Sequence, residues 1–206
     1  MIDSAFLITA FVTLFVVMDP IGLTPVFLAL TQGMTPQHRR SIAIRACITA
    51  AILLTVFAAF GEAVLGFVGI SMPAFRIAGG ILLFLTALDM LFERRNKRRE
   101  DRTEEDDFDD PSVFPLAIPL IAGPGSIASI ILLAGQAPGI GGFLSVMGVC
   151  FAVLLMLLVM CLFSGLFERL LGKTGITVVT RLFGMLLAAL SVQFVLDGLR
   201  AFGIAG

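Results

Sequence analysis

From Pro111 to Phe167 the chain carries no charged residue, an unbroken run of 57 positions. A soluble domain would place about 14 charges in such a stretch, since about a quarter of its residues are ionisable. A membrane-spanning helix needs about 20 mostly apolar residues, so the run holds two spans and a tight turn. The whole chain agrees: 58% of its 206 residues are hydrophobic and the mean hydropathy is +1.05. The apolar runs are continuous and do not alternate, which points to helices and away from a membrane barrel. A soluble enzyme, a disordered chain and a nucleic-acid binder with a basic surface are excluded.

The sequence predicts six spans, at about Ser4–Leu30, Ser41–Leu65, Ala74–Phe92, Ser112–Gln136, Phe143–Phe167 and Ile176–Leu199. The N-terminus has no basic region and carries Asp3, so it reads as the first permanent span and not as a secretory signal. The segment Glu93–Asp110 holds six basic and nine acidic residues and reads as a solvated tether. It divides the chain into a first three-span unit (1–92), a charged linker (93–110) and a second three-span unit (111–206). With six spans, twelve of the 14 Lys and Arg residues fall on one side, leaving Arg76 and Arg200 on the other. Orientation follows this bias, so both termini are expected outside and the linker in the cytoplasm. Cys47, Cys150 and Cys161 lie in apolar stretches and read as small buried hydrophobes. His38 is the single histidine, in a polar turn, and reads as solvated.

The two units match at a nearly fixed offset. Pro20 pairs with Pro124, Glu62 with Glu168, Gly66 with Gly172 and Arg76 with Arg181, at separations of 104 to 106 residues. Each arginine opens an R-x-x-G pattern, reaching Gly79 and Gly184, followed by a hydroxyl at Thr86 and Ser191. Units of three spans enter the membrane from opposite sides, so a duplication of this kind is an inverted repeat, a recurrent architecture of secondary transporters. The expected fold is an all-α polytopic membrane protein, with six transmembrane helices in two inverted three-helix repeats.

The first and fourth helices are expected to be discontinuous. MDPIGLTP (18–25) contains two prolines, a glycine and Asp19, an ionisable group well inside a span. AGPGS (122–126) repeats the grammar with Gly123, Pro124, Gly125 and Ser126. Proline removes a backbone donor and clashes with the preceding turn. Groups freed within a membrane must be buried in protein or line a cavity. The half-helix after each break presents N–H donors and a partial positive charge suited to a carboxylate. Thr24 and Ser126 read as N-caps of these half-helices, and Asp19 as the leading proton-binding group. Glu62, Arg76, Glu168 and Arg181 sit near span ends. They read as mirrored interfacial ion pairs or snorkelling groups or, in a sharper form, as latches of the two faces.

GISMPAFRIAGG (69–80), FPLAIPLIAGPGSI (114–127), LGKTGITVVTRLFGMLLAALSVQFVLDG (171–198) and DPIGLTPVF (19–27) closely resemble the MarC family of bacterial inner-membrane proteins, which is similar to the LysE-type exporter group. The resemblance spans nearly the whole chain apart from the charged linker. It implies a transporter of small neutral amino acids such as glycine, alanine or serine, located in the inner membrane and coupled to protons. It also implies a substrate pocket at Asp19, Pro20, Gly22 and Thr24 facing Gly123, Pro124, Gly125 and Ser126. The alternative on the same scaffold is an exporter of another small metabolite. Neither a cofactor, a metal nor a nucleic acid is expected as a partner. With no intramembrane histidine, no nucleophile–base pair and no metal-ligand spacing, the chain is not expected to be an enzyme. The bilayer, the small-molecule substrate and a coupling proton are the partners foreseen.

Overall fold

The computed structural model describes residues 4–92, 110–137 and 139–203, apart from the side chains of Glu168 and Lys173. The charged linker therefore lies outside the described residues except for Asp110. The helices are α1 (Ser4–Met18), α2 (Pro20–Leu30), α3 (Pro36–Val68), α4 (Met72–Leu91), α5 (Pro124–Gln136), α6 (Gly139–Leu162) and α7 (Ser164–Ala201). No strand occurs among the described residues. Five stretches are long and apolar enough to cross a membrane, with Ser4–Leu30 counted as one. The segment Ser112–Ile121 and α5, bent by 57° at their junction, make a sixth when counted as one span.

Capping residues explain the helix starts. Thr35 accepts the His38 N–H at α3 and Ser71 accepts the Ala74 N–H at α4, each followed by a proline in the first helical turn. The polar turn containing His38, Arg39 and Arg40 thus belongs to α3, and His38 is exposed as foreseen. Residues 168–175, between the expected fifth and sixth spans, are instead part of α7. Its bend sits at Gly172, whose φ of 61° lies in the left-handed region that glycine enters without a Cβ penalty.

The largest departure is Ser112–Ile121, expected to be ordinary helix. Pro111, Pro115 and Pro119 recur every four residues and deny the ladder its donors. Phe114 and Ile118, each preceding a proline, are pushed to extended geometry at φ/ψ of −130°/126° and −125°/123°. Wide turns replace the helical ladder, with the Leu116 N–H donating to the Pro111 carbonyl and Ala122 to Ala117. Such backbone is tolerable at membrane depth only where protein covers it. Leu116, Ala117, Leu120 and Ile121 are accordingly buried in the core against α3.

The interior has two apolar clusters. One joins α1, α2, α3, residues 116–122, α5 and α6. It takes in Cys47, Cys150 and Cys161 as small buried groups. The other joins Val16 and Val17 of α1, Leu83, Ala87 and Met90 of α4, Leu132 of α5, and Leu187 and Phe194 of α7. Both broken spans contribute to both clusters and so form the centre of the molecule. Large apolar side chains such as Phe60, Val64, Leu144, Leu155 and Met185 face outwards. An apolar exterior around a tightly packed interior suits a bilayer solvent. The packing is also reciprocal between the two units: α2 lies against α6 and α7, as α5 lies against α3 and α4.

The most extensive helix contact is between α4 and α7, which run antiparallel. Glycines permit the close approach. A Cβ on Gly80 would meet the Ser191 carbonyl at 2.8 Å, one on Gly184 the Ala87 carbonyl at 3.1 Å, and one on Gly198 the Pro73 carbonyl at 3.0 Å. At one end of the bundle, Arg45 of α3 pairs with Asp110 at 2.9 Å. The Ser112 N–H donates to the same carboxylate at 3.0 Å. Hydrogen bonding from Ser112 and then the Arg45 charge hold the Asp110 carboxyl below its usual range. A lowered carboxylate stabilises the fold above its unfolded pKa, and that contribution is lost as the pH falls through the folded value.

Gly184→Leu should separate α4 from α7 and destabilise the protein by about 1–3 kcal/mol. Gly148→Leu should be tolerated, because a side chain there meets nothing within 4 Å. Unfolding of the purified variants by SDS titration measures both.

Candidate functional site

Asp19 is the only described non-glycine residue with positive φ, at φ 51° and ψ 65°. Aspartate tolerates this left-handed conformation because its short side chain bonds locally. Here Asp19 Oδ1 accepts the Gly22 N–H at 3.0 Å, so Asp19 is itself the N-cap of α2. The backbone ladder continues around it, with the Asp19 N–H donating to the Phe15 carbonyl and the Leu23 N–H to the Asp19 carbonyl, both at 2.9 Å. The first interruption is therefore a single residue, completely buried, within an otherwise continuous span.

Thr24 was expected to cap the half-helix but lies inside it. Its hydroxyl donates to the Pro20 carbonyl at 3.0 Å, and the capping role falls to Asp19 because the helix restarts at Pro20. Gly22 is held against the carboxylate so closely that a Cβ would collide with an Asp19 oxygen. Asp19, Pro20, Gly22 and Thr24 thus form one compact, self-bonded turn, all of it buried.

The second interruption is different. α5 begins at Pro124 with Gly123 as N-cap, and no side chain caps it. Ser126, expected as that cap, instead donates backwards to the freed Ile121 carbonyl at 2.8 Å, spanning the bend. Gly123 is pressed against the Pro119 carbonyl, where a Cβ would come within 2.5 Å. Gly125 faces the first unit: a Cβ there would lie 3.1 Å from Val17 of α1 and 3.6 Å from the Thr86 hydroxyl of α4. The second interruption thus packs two residues along the chain from Asp19, in the middle of the bundle. Pro124 also borders an apolar groove of about 590 Å³ between α3 and α4, walled by Phe57, Phe60, Phe75 and Ile131.

Thr86 was matched to Ser191 across the repeat but not assigned to the site; its place beside Gly125 is a structural finding. The hydroxyls of Thr13 on α1 and Ser129 on α5 are buried without a hydrogen-bond partner. Ser129 lies three residues beyond Ser126, on the same helix face. Neither stood out in the sequence, where serine and threonine within apolar helices are commonplace.

Of the two expected pairs, only the Glu62–Arg76 pair falls wholly on described side chains. Glu62 is exposed beside the end of α5, and no ion pair joins it to Arg76. Arg76 is half-buried, with its Nε buried and without a hydrogen-bond partner. The two groups lie on different helices, α3 and α4, joined by the turn at residues 69–71, so helical spacing enforces no pair between them. Arg181 is exposed, and the Glu168 side chain lies outside the described residues, so that second pair is not visible. No cluster of three or more metal-ligating side chains occurs among the described residues.

Gly22→Ala should cost about 1–3 kcal/mol by forcing the Asp19 carboxylate aside. The cost should shrink when Asp19→Ala removes the colliding oxygen, and a double-mutant cycle in SDS unfolding reads that coupling.

Residues 4–202 match the family model described as MarC family integral membrane protein. The chain is 36% identical over 201 residues to a UPF0056 membrane protein of Methanocaldococcus jannaschii, covering 96% of this chain and 98% of that one. It is 36% identical over 200 residues to the UPF0056 membrane protein YvbG of Bacillus subtilis, with 95% of each chain covered. It is also 36% identical over 199 residues to the UPF0056 inner membrane protein YhgN of Escherichia coli, covering 94% of this chain and 96% of that one. No solved structure matches the chain. With a helical membrane architecture and a family match over nearly its whole length, the chain belongs to the MarC family of integral membrane proteins.

Proposed function

We propose that this protein is a secondary transporter of small neutral amino acids of the glycine, alanine and serine class, coupled to protons. The observation that carries the reading is the uncapped start of α5, buried at the centre of the molecule beside α1 and α4. A helix N-terminus with no side-chain acceptor is a natural seat for a carboxylate. Gly125 keeps the backbone bare there and leaves little volume, which selects a small ligand. The α2 start already holds its own carboxylate, Asp19, so the substrate anion belongs on α5 and the ammonium group on the Asp19 side. The unpartnered Thr13 and Ser129 hydroxyls support a polar ligand nearby, since leaving each unsatisfied costs about 1–3 kcal/mol.

On this reading the units are inverted repeats, and the reciprocal packing of α2 and α5 supports it. Both termini lie outside and the linker lies in the cytoplasm, following the bias in Lys and Arg.

Labelled glycine and alanine should accumulate in proteoliposomes under an imposed pH gradient and exchange in counterflow. Absence of flux for every small amino acid rejects the reading, and flux of another metabolite from a panel would assign the exporter alternative. Gly125→Leu should abolish transport at unchanged yield. Asp19→Asn should keep counterflow but lose accumulation driven by the pH gradient; full accumulation in that variant would remove the proton role from Asp19.

A further inference from the structure

At the end of the bundle that holds the turn between α2 and α3, a second cavity of about 360 Å³ opens between that turn and the junction of α6 with α7. Its lining includes Arg39 and Arg40 on one side and Ser164 and Gly165 on the other, with Phe27 and Leu162 as apolar walls. Among the described residues the lining carries no carboxylate. Arg39 is fixed in place because its Nε donates to the Thr31 hydroxyl at 2.9 Å, which leaves its terminal nitrogens available. Ser164 is buried, at 4% exposure. α7 starts there with no side-chain cap. Two guanidinium groups, a buried serine and the first N–H groups of the helical segment 164–171 converge on one cavity. These groups supply donors and positive charge, and no carboxylate among the described lining residues answers them.

We propose that this cavity binds the phosphate group of an anionic phospholipid. Guanidinium pairs recognise phosphate oxygens through paired donors, and a helix N-terminus adds its partial positive charge. The location assigns the source. The cavity lies at the ends of spans, and Leu162 and Phe163 are exposed at its rim, so an acyl chain runs along an apolar surface while its headgroup enters. Basic pockets between spans at the membrane surface suit such headgroups. The site is distinct from the central helix interruptions and independent of what is transported.

The test is native mass spectrometry of the full-length protein titrated with phosphatidylglycerol, phosphatidylcholine or inorganic phosphate, with thermal unfolding in parallel. The wild type should retain one phosphatidylglycerol and gain thermal stability from it, with phosphatidylcholine at least tenfold weaker. Each arginine near a membrane surface contributes about fivefold in affinity, so Arg40→Gln should weaken retention by that factor and Arg39→Gln/Arg40→Gln by more. Ser164→Asp, which supplies the helix start with its own anion, should abolish retention while raising the unfolding temperature; this variant keeps the test valid where loss of Arg39 disturbs the turn. Arg200→Gln, at a separate exposed ion pair with Asp197, should change nothing. Equal retention of the two lipids, or equal weakening by Arg200→Gln, would overturn the site. Full stabilisation by inorganic phosphate alone would overturn the lipid assignment and identify a soluble anion as the occupant.

Discussion

A backbone N–H or C=O left bare in hydrocarbon costs several kcal/mol, and every unusual feature of this fold answers that penalty. Two spans are interrupted by proline, and both are placed at the centre, between α3 and α6 on one side and the α4–α7 pair on the other. The uninterrupted helices form the shell. The irregular stretch 112–121 is acceptable only because its apolar side chains are buried against α3 while Ser126 returns a donor to the Ile121 carbonyl.

The tight α4–α7 contact serves the same end. Gly80, Gly184 and Gly198 bring the two backbones close, and in a bilayer such van der Waals contact replaces the hydrophobic effect as the force between helices. Each of these helices also packs on the half-helix contributed by the other unit, α4 on α5 and α7 on α2. The pair therefore acts as one element in contact with both interruptions. A shift of α4 against α7 would reach Gly125 through Thr86 and Leu83, which gives the proposed transport cycle a mechanical route through the packed core.

The sequence made the membrane architecture legible because charge is so costly in hydrocarbon that its absence marks each span. It made the places of interruption legible because proline and glycine act locally. Hydrogen-bond partners were less accessible. Thr24 reads as a cap because it precedes Pro25, and Ser126 because it precedes Ile127, yet Asp19 and Gly123 hold those positions because the helices restart at Pro20 and Pro124. The extended turns at Phe114 and Ile118 were readable from the residues preceding Pro115 and Pro119, but the surrounding hydrophobicity masked them. Glu62 and Arg76 looked paired because their counterparts recur 105 or 106 residues later. Repetition reports ancestry and register, whereas an ion pair needs geometry that only the folded chain supplies.

The two interruptions are built from the same residue grammar, but they resolve their freed groups in opposite directions, and that difference is what gives the centre a polarity. At the first, a carboxylate supplied by the chain turns inward and satisfies the N–H of Gly22. At the second, a hydroxyl satisfies a carbonyl and leaves the helix start without a side-chain acceptor. One site holds a carboxyl group supplied by the chain and the other presents donors. On the proposed function, that asymmetry orients a small zwitterion, with one end on α5 and the other on the Asp19 side.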